Sequence, residues 1–195
     1  MLKTLLAGTV VFGMALSASA QPPTPTQSPT PTPPKADKTA DHAAATADHT
    51  FVTKAAEGGM AEVKLGQLAA DKATSDEVKK FGQRMVTDHS KANDELKTLA
   101  QQKSITLPTD LSAKDKATYD RFSKLTGAAF DRAYMQHMLA DHRTDVNEFK
   151  KESTSGKDPD VKAWAGKTLP TLEEHLKLAQ DANKAVGTSG TKEKK

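Results

Sequence analysis

Four stretches of this chain bring an apolar residue back every three or four positions, and no stretch of useful length alternates apolar and polar residues as a half-buried strand does. At about 100° of rotation per residue, each stretch gathers its apolar side chains into one arc, the pattern of an amphipathic helix. The spacing predicts a first helix over 48–70, with Phe51, Val52, Ala55, Gly59, Val63, Gly66 and Ala69 sharing the arc. Gly58, Gly59 and Gly66 each cost about 1 kcal/mol against alanine in a helix, so close packing against a neighbour is expected to compensate. A second helix over 76–102 follows Ser75, an expected N-cap, and turns Val78, Phe81, Met85, Ala92, Leu96 and Leu99 inward. The third, over 128–152, does so with Tyr134, Met135, Met138, Leu139, Val146 and Phe149. The fourth opens at Asp158-Pro159, an N-cap followed by proline at the first helical position. Its stripe runs from Val161, Trp164 and Ala165 to Leu172, Leu176, Ala179, Ala182 and Val186, with Pro170 expected to kink it.

Between the second and third helices lie residues 103–127, broken at Leu107-Pro108 and carrying a short helical signal over 112–125. An up-and-down bundle joins neighbours with about two to eight residues. A longer connection crosses the full length of a ferritin-like bundle between its second and third helices. The expected fold is therefore all-α: a ferritin-like four-helix bundle whose long helix 2–3 crossover carries a short extra helix.

The ends of the chain read differently. Residues 1–20 have the parts of a secretory signal peptide: Lys3, a short apolar run from Leu5 to Leu16, then Ala18-Ser19-Ala20 as a small-residue cleavage site. The run is shorter than the ~20 apolar residues of a membrane span, and no later segment is apolar enough to span. Cleavage near Ala20 would leave a mature chain without a transmembrane segment, periplasmic or secreted. Residues 21–47 are expected to be a disordered tether, because Pro22, Pro23, Pro25, Pro29, Pro31, Pro33 and Pro34 fix φ and remove donors, and 35–47 are alanine-rich and polar. Residues 187–195 read as a flexible, lysine-ended tail, which leaves 48–186 as the domain. Its charges are interleaved, 28 basic against 25 acidic for a net +3 over the whole chain, so no basic stripe invites nucleic acid.

The same rotation places one ionisable side chain per helix inside the apolar arcs: Glu62 on the first, His89 on the second, His142 on the third and His175 on the fourth. At about 1.5 Å per residue their levels along the bundle spread over about 9 Å, which allows one mid-bundle site. The chain also repeats itself. Met85-Val86-Thr87-Asp88-His89 returns as Met138-Leu139-Ala140-Asp141-His142, and Glu95-Leu96-Lys97 as Glu148-Phe149-Lys150 at the same offset. Each methionine lies one turn before its histidine on the same face. Asp88 and Asp141 sit on a flank, where each is free to bind a metal, orient a histidine of a neighbouring helix or cap the polar boundary. His137 shares a flank with Asp141 and forms a second candidate pair with it.

Cysteine is absent, which excludes disulfides, thiolate metal sites and a thiol nucleophile. A metal site must then rest on Glu62, His89, His142 and His175, with Asp88, Asp141, His137, Met85 and Met138 as a second tier. Such donors suit copper, zinc, manganese or iron, and the thioethers tilt the choice toward copper. Two other readings compete with it. In one, the histidines hydrogen-bond one another or Glu62, and the protein is a metal-free structural or stress-related module with an envelope protein as partner. In the other, it is a metal-dependent redox enzyme, which needs a redox metal and an open coordination position. No serine–histidine–aspartate signature, phosphate loop or paired-carboxylate motif stands out.

With these motifs in hand, the chain resembles an exported bacterial family, the domain of unknown function 4142, grouped with ferritin-like folds. The resemblance rests on Ala55-Ala56-Glu57-Gly58-Gly59-Met60-Ala61-Glu62-Val63, both Met-x-x-Asp-His stretches, Phe130-Asp131 followed by Tyr134, and Trp164 with the later His175-Leu176. It covers about 48–186 and implies a periplasmic or envelope location and a four-helix bundle, with no established activity. Ferritin-like di-iron sites take Glu-x-x-His from two helices; here Val86, Leu139 and Leu172 stand three residues before the histidines, so a standard di-iron site is not expected.

Overall fold

The computed structural model describes residues 38–192. They form helices α1 (Lys38–Lys72), α2 (Asp76–Gln102), α3 (Ala113–Ser123), α4 (Gly127–Ser155) and α5 (Pro159–Lys192), with no strand among the described residues. The signal peptide expected over 1–20, and the tether as far as residue 37, lie outside them.

Two helices run further than their periodicity suggests. The first begins at Lys38 rather than 48, through the alanine-rich stretch, because alanine is the best helix former whether or not a core lies beneath it. The last continues past Gly187 to Lys192 and passes through Pro170 as one element. The expected tether and tail are thus partly helical in backbone.

The topology follows from contacts at the two ends. α1 packs chiefly on α2 and α4 chiefly on α5, and the two hairpins meet where α2 touches α5 and α1 touches α4. At one end, Asp48 of α1 accepts hydrogen bonds from the backbone N–H of Lys157 (2.9 Å) and Asp158 (2.5 Å), and Lys103 at the end of α2 pairs with Asp158 (2.8 Å). At the other, Asp131 of α4 accepts from the N–H of Thr74 (3.1 Å) and Ser75 (2.9 Å) at the α1–α2 turn, and the Lys72 ammonium donates to the Ser123 carbonyl. The α2–α4 connection therefore starts at one end and finishes at the other, carrying α3 with it. α2 and α4 run parallel, as the long crossover requires.

Ser75 holds the N-cap position of α2, but its hydroxyl donates to Glu77 (2.6 Å) and makes no cap bond. The buried carboxylate of Asp131 stands in for it from another helix. Asp158 does cap its own helix, accepting from the N–H of Asp160 (2.9 Å) and Val161 (3.2 Å).

The core divides in two. One cluster gathers Leu65, Phe81, Met85, Phe122, Phe130, Tyr134 and Met138 near the α1–α2 turn; the other gathers Phe51, Leu96, Phe149, Trp164 and Leu172 near the α4–α5 turn. α1 buries Ala56, Ala61, Leu65 and Leu68 beside its predicted stripe, because it meets α2, α3 and α4 at once. Its crossing with α2 is close: a Cβ on Gly66 would stand 2.7 Å from the Gly82 carbonyl, and one on Gly82 2.6 Å from the Gly66 carbonyl. Gly59 faces Asn93 in the same tight way, whereas Gly58 has nothing within 4 Å and repays none of its helix cost.

Candidate metal centre

Between the two apolar clusters lies a layer of ionisable side chains. Helical periodicity carries His89, His142 and His175 into it from α2, α4 and α5, and all three are buried. One ring nitrogen from each lies within 4.8 Å of the others. The ring centroids stand 5.9 Å apart for His89–His142, 5.3 Å for His89–His175 and 5.4 Å for His142–His175.

The outer hydrogen bonds set the tautomers. His142 Nδ1 lies 3.0 Å from the Met138 carbonyl, which can only accept, so Nδ1 carries the proton and Nε2 keeps a lone pair. His175 Nε2 lies 2.9 Å from Asp88 Oδ2 and donates to it, which leaves the lone pair on Nδ1. His142 Nε2, His175 Nδ1 and His89 Nε2 are buried without a hydrogen-bond partner.

Burial keeps these rings neutral. It holds the His89 imidazole down at about 3, helped by the charge that His175 and His142 would carry. It holds His142 at about 4, helped by His175, and lowers His175 against the pull of Asp88. For Asp88 itself burial opposes ionisation, but hydrogen bonds from Arg84 and His175 outweigh it and keep the carboxyl below its usual range. Arg84 also reaches Glu174 at 3.2 Å, so His175 is held through Asp88 by a charged chain ending at the surface.

Glu62 meets different company from that expected. Its Oε1 lies 3.6 Å from His142 Nδ1, the protonated edge of the ring, not the edge with the free lone pair. Its carboxylate instead lies within 4.8 Å of carboxylate oxygens of Asp141 and Asp145 on α4, forming a second group beside the histidines. Burial raises Glu62 well above the carboxylate range, with Asp141 and Asp145 adding to it.

The second-tier residues divide too. Asp88 orients a histidine across helices, while its repeat partner Asp141 joins the acidic group. His137 packs its ring on Phe122 at 5.3 Å. Met85 and Met138 are fully buried within the apolar cluster near the α1–α2 turn. Asp145 escaped the sequence reading, although the four-residue step from Asp141 puts both carboxylates on one face. A small cleft lined by Gly59, Asn93, Asp145, Phe149 and Leu172 leads to His89.

No curated protein matches this chain in sequence. Among solved structures, its fold is similar to the crystal structure of a DUF305 fragment from Deinococcus radiodurans, with a TM-score of 0.62 at 11% identity over 73% of this chain and 96% of that one. It is also similar to CopM in the Cu(I)-bound form, with a TM-score of 0.57 at 18% identity over 69% of this chain and 93% of that one. The family model of the domain of unknown function DUF4142 matches residues 33–182. That match spans most of the chain, and the chain belongs to the DUF4142 family.

Proposed function

We propose that this protein is an exported metal-binding module that holds one transition metal ion between His89, His142 and His175, with copper(I) the ion that suits the site best. The observation that carries the reading is that three buried imidazoles from three helices each keep one nitrogen without a partner. A buried polar atom left unpaired costs about 1–3 kcal/mol, and a metal ion offers all three nitrogens a partner at once. Nitrogen donors about 2.0 Å from a metal stand roughly 3.3–3.5 Å apart, a spacing compatible with three ring nitrogens that lie within 4.8 Å of one another.

The charge balance favours a monovalent ion. The three donors are neutral, the layer is buried, and Asp88, the carboxylate hydrogen-bonded to one of them, is already shared between Arg84 and His175. A divalent ion would bring twice the charge into low dielectric with little to meet it. Structural likeness to CopM in its Cu(I)-bound form supports testing copper first. Export rests on the leader read in residues 1–20, and places the site in the periplasm or envelope. No helix among the described residues is long and apolar enough to cross a membrane.

The test is anaerobic titration of the protein, purified without chelator, with Cu(I) in competition with a chromophoric chelator, and in parallel with Zn(II). The expected result is one Cu(I) per chain, bound more tightly than Zn(II), with at least tenfold loss of affinity in each of His89→Ala, His142→Ala and His175→Ala. Binding that survives all three substitutions would overturn the reading.

A further inference from the structure

We propose a second, separate cation site on the α1–α4 face, in which Glu62, Asp141 and Asp145 supply oxygen ligands to a hard divalent cation of the manganese kind. Their carboxylate oxygens converge to within 4.8 Å, and Glu62, only 1% exposed, has neither oxygen in a hydrogen bond. An acidic cluster at a surface needs no ligand. A fully buried carboxylate with both oxygens unpartnered, turned toward two more carboxylates, does need something positive between them.

The surroundings do not supply it. Among the described residues no lysine or arginine forms an ion pair with any of the three, and His142 presents an N–H already given to Met138. Asp141 and Asp145 stand one turn apart on α4, where like charges repel. The strain shows at Asp145: burial, then Asp141 and Glu148, push its carboxyl up to about 8. A cation at the centre would reverse that balance. Oxygen ligands at about 2.1–2.6 Å from a cation lie roughly 3–4 Å apart, a spacing compatible with three carboxylate oxygens that lie within 4.8 Å of one another. Asp141 and Asp145 are half-buried, which gives a hydrated cation an approach and leaves room for retained waters.

Hard carboxylate oxygens select magnesium, calcium or manganese over copper(I), which the soft or imidazole donors take. The two sites therefore sort ions by chemistry across the width of one side chain. This proposal stands on residues other than the three histidine donors, so each can fail alone.

The experiment counts Mn(II) bound to the protein by electron paramagnetic resonance, for the unsubstituted chain and for Asp145→Asn, Asp141→Asn and His89→Ala. Asp145→Asn keeps the side chain's shape and removes its charge, and a circular dichroism melt checks that the fold is retained. One bound Mn(II) per chain, kept in His89→Ala and weakened at least tenfold in both aspartate variants, is the expected result. No Mn(II) bound by the unsubstituted chain, or binding indifferent to Asp145→Asn and Asp141→Asn, overturns the site and assigns the cluster to shared protons. Loss of Mn(II) in His89→Ala alone overturns the separation of the sites. Copper(I) binding with no Mn(II) binding sinks this proposal and leaves the histidine site standing.

Discussion

The aspartate that precedes His89 in the chain serves a histidine on another helix: Asp88 Oδ2 lies 2.9 Å from His175 Nε2. Asp88 is also bound by Arg84, so it is an anchored acceptor that fixes the His175 tautomer and aims Nδ1 at the other two rings. Hydrogen-bond partners of metal-bound histidines are commonly worth tenfold to a hundredfold in affinity. Asp88→Asn is expected to weaken Cu(I) binding about 10–100-fold while shifting the apo melting temperature little, since an amide oxygen still accepts from Nε2. A chelator competition titration checks it. Unchanged affinity would show that His175 is positioned by packing alone.

The crossing of α1 and α2 predicts opposite outcomes for neighbouring glycines. A methyl on Gly66 or Gly82 meets a backbone carbonyl at 2.7 or 2.6 Å, and backbone cannot swing aside. Gly66→Ala and Gly82→Ala are each expected to cost about 1–3 kcal/mol. Gly58→Ala meets nothing within 4 Å and removes a helix-interior glycine. It is expected to stabilise by about 0.5–1 kcal/mol. Urea unfolding of the three variants at constant m-value decides the signs.

Asp131 is a third case, a carboxylate that stabilises a helix it does not belong to. It accepts from two backbone N–H groups and from the Thr74 hydroxyl at 2.5 Å, and it is 3% exposed. Asp131→Ala takes the charged acceptor away from those donors at the α1–α2 turn, where Thr74 is exposed and Ser75 half-buried. The expected loss is about 1–3 kcal/mol, with faster amide exchange at Thr74 and Ser75 than elsewhere in α2. Uniform protection across the turn would mean that water replaces the carboxylate without cost.

These three cases also mark where the sequence stops being legible. That His89, His142 and His175 meet was readable, because a 3.6-residue period fixes which side of each helix a residue occupies, and burial needs that side inward. The long crossover was readable from the length of 103–127. The partner of Glu62 was not: rotating α1 on its axis by a few tens of degrees decides whether its acid faces the histidine nitrogens or α4, and that rotation is set by the Gly66–Gly82 crossing. The capping roles of Asp131 and Asp48 were not legible either. Capping between elements depends on which ends the chain brings together, and a search for caps beside each helix start finds Ser75 instead. The early start at Lys38 reflects helix propensity, to which apolar periodicity is blind.

Protonation gives the last prediction, on the metal-free protein. His89 titrates near 6.5 unfolded and at about 3 folded. Below about pH 6.5 the unfolded chain takes up a proton that the folded chain refuses, so this contribution to stability is present above 6.5 and lost as pH falls toward 3. Of the groups facing it, His142 on α4 and His175 on α5 are also held low and act the same way, Asp88 pulls upward more weakly than burial pushes down, and Glu62 on α1, raised by burial, acts in the opposite sense. Asp145 has the opposite sign. Its carboxyl goes from 3.8 to about 8 on folding, so the folded state keeps a proton that the unfolded state has lost, and that stability drains away as pH rises from about 4 through 8. Melting temperatures from pH 4 to 9 should therefore separate the two variants in opposite directions: His89→Ala loses less toward acid than the unsubstituted protein, and Asp145→Asn gains steadily on it as pH rises from 4 to 8. A pH-independent gap between Asp145→Asn and the unsubstituted chain would show that Asp145 ionises freely in the fold and that the α1–α4 carboxylates do not feel one another.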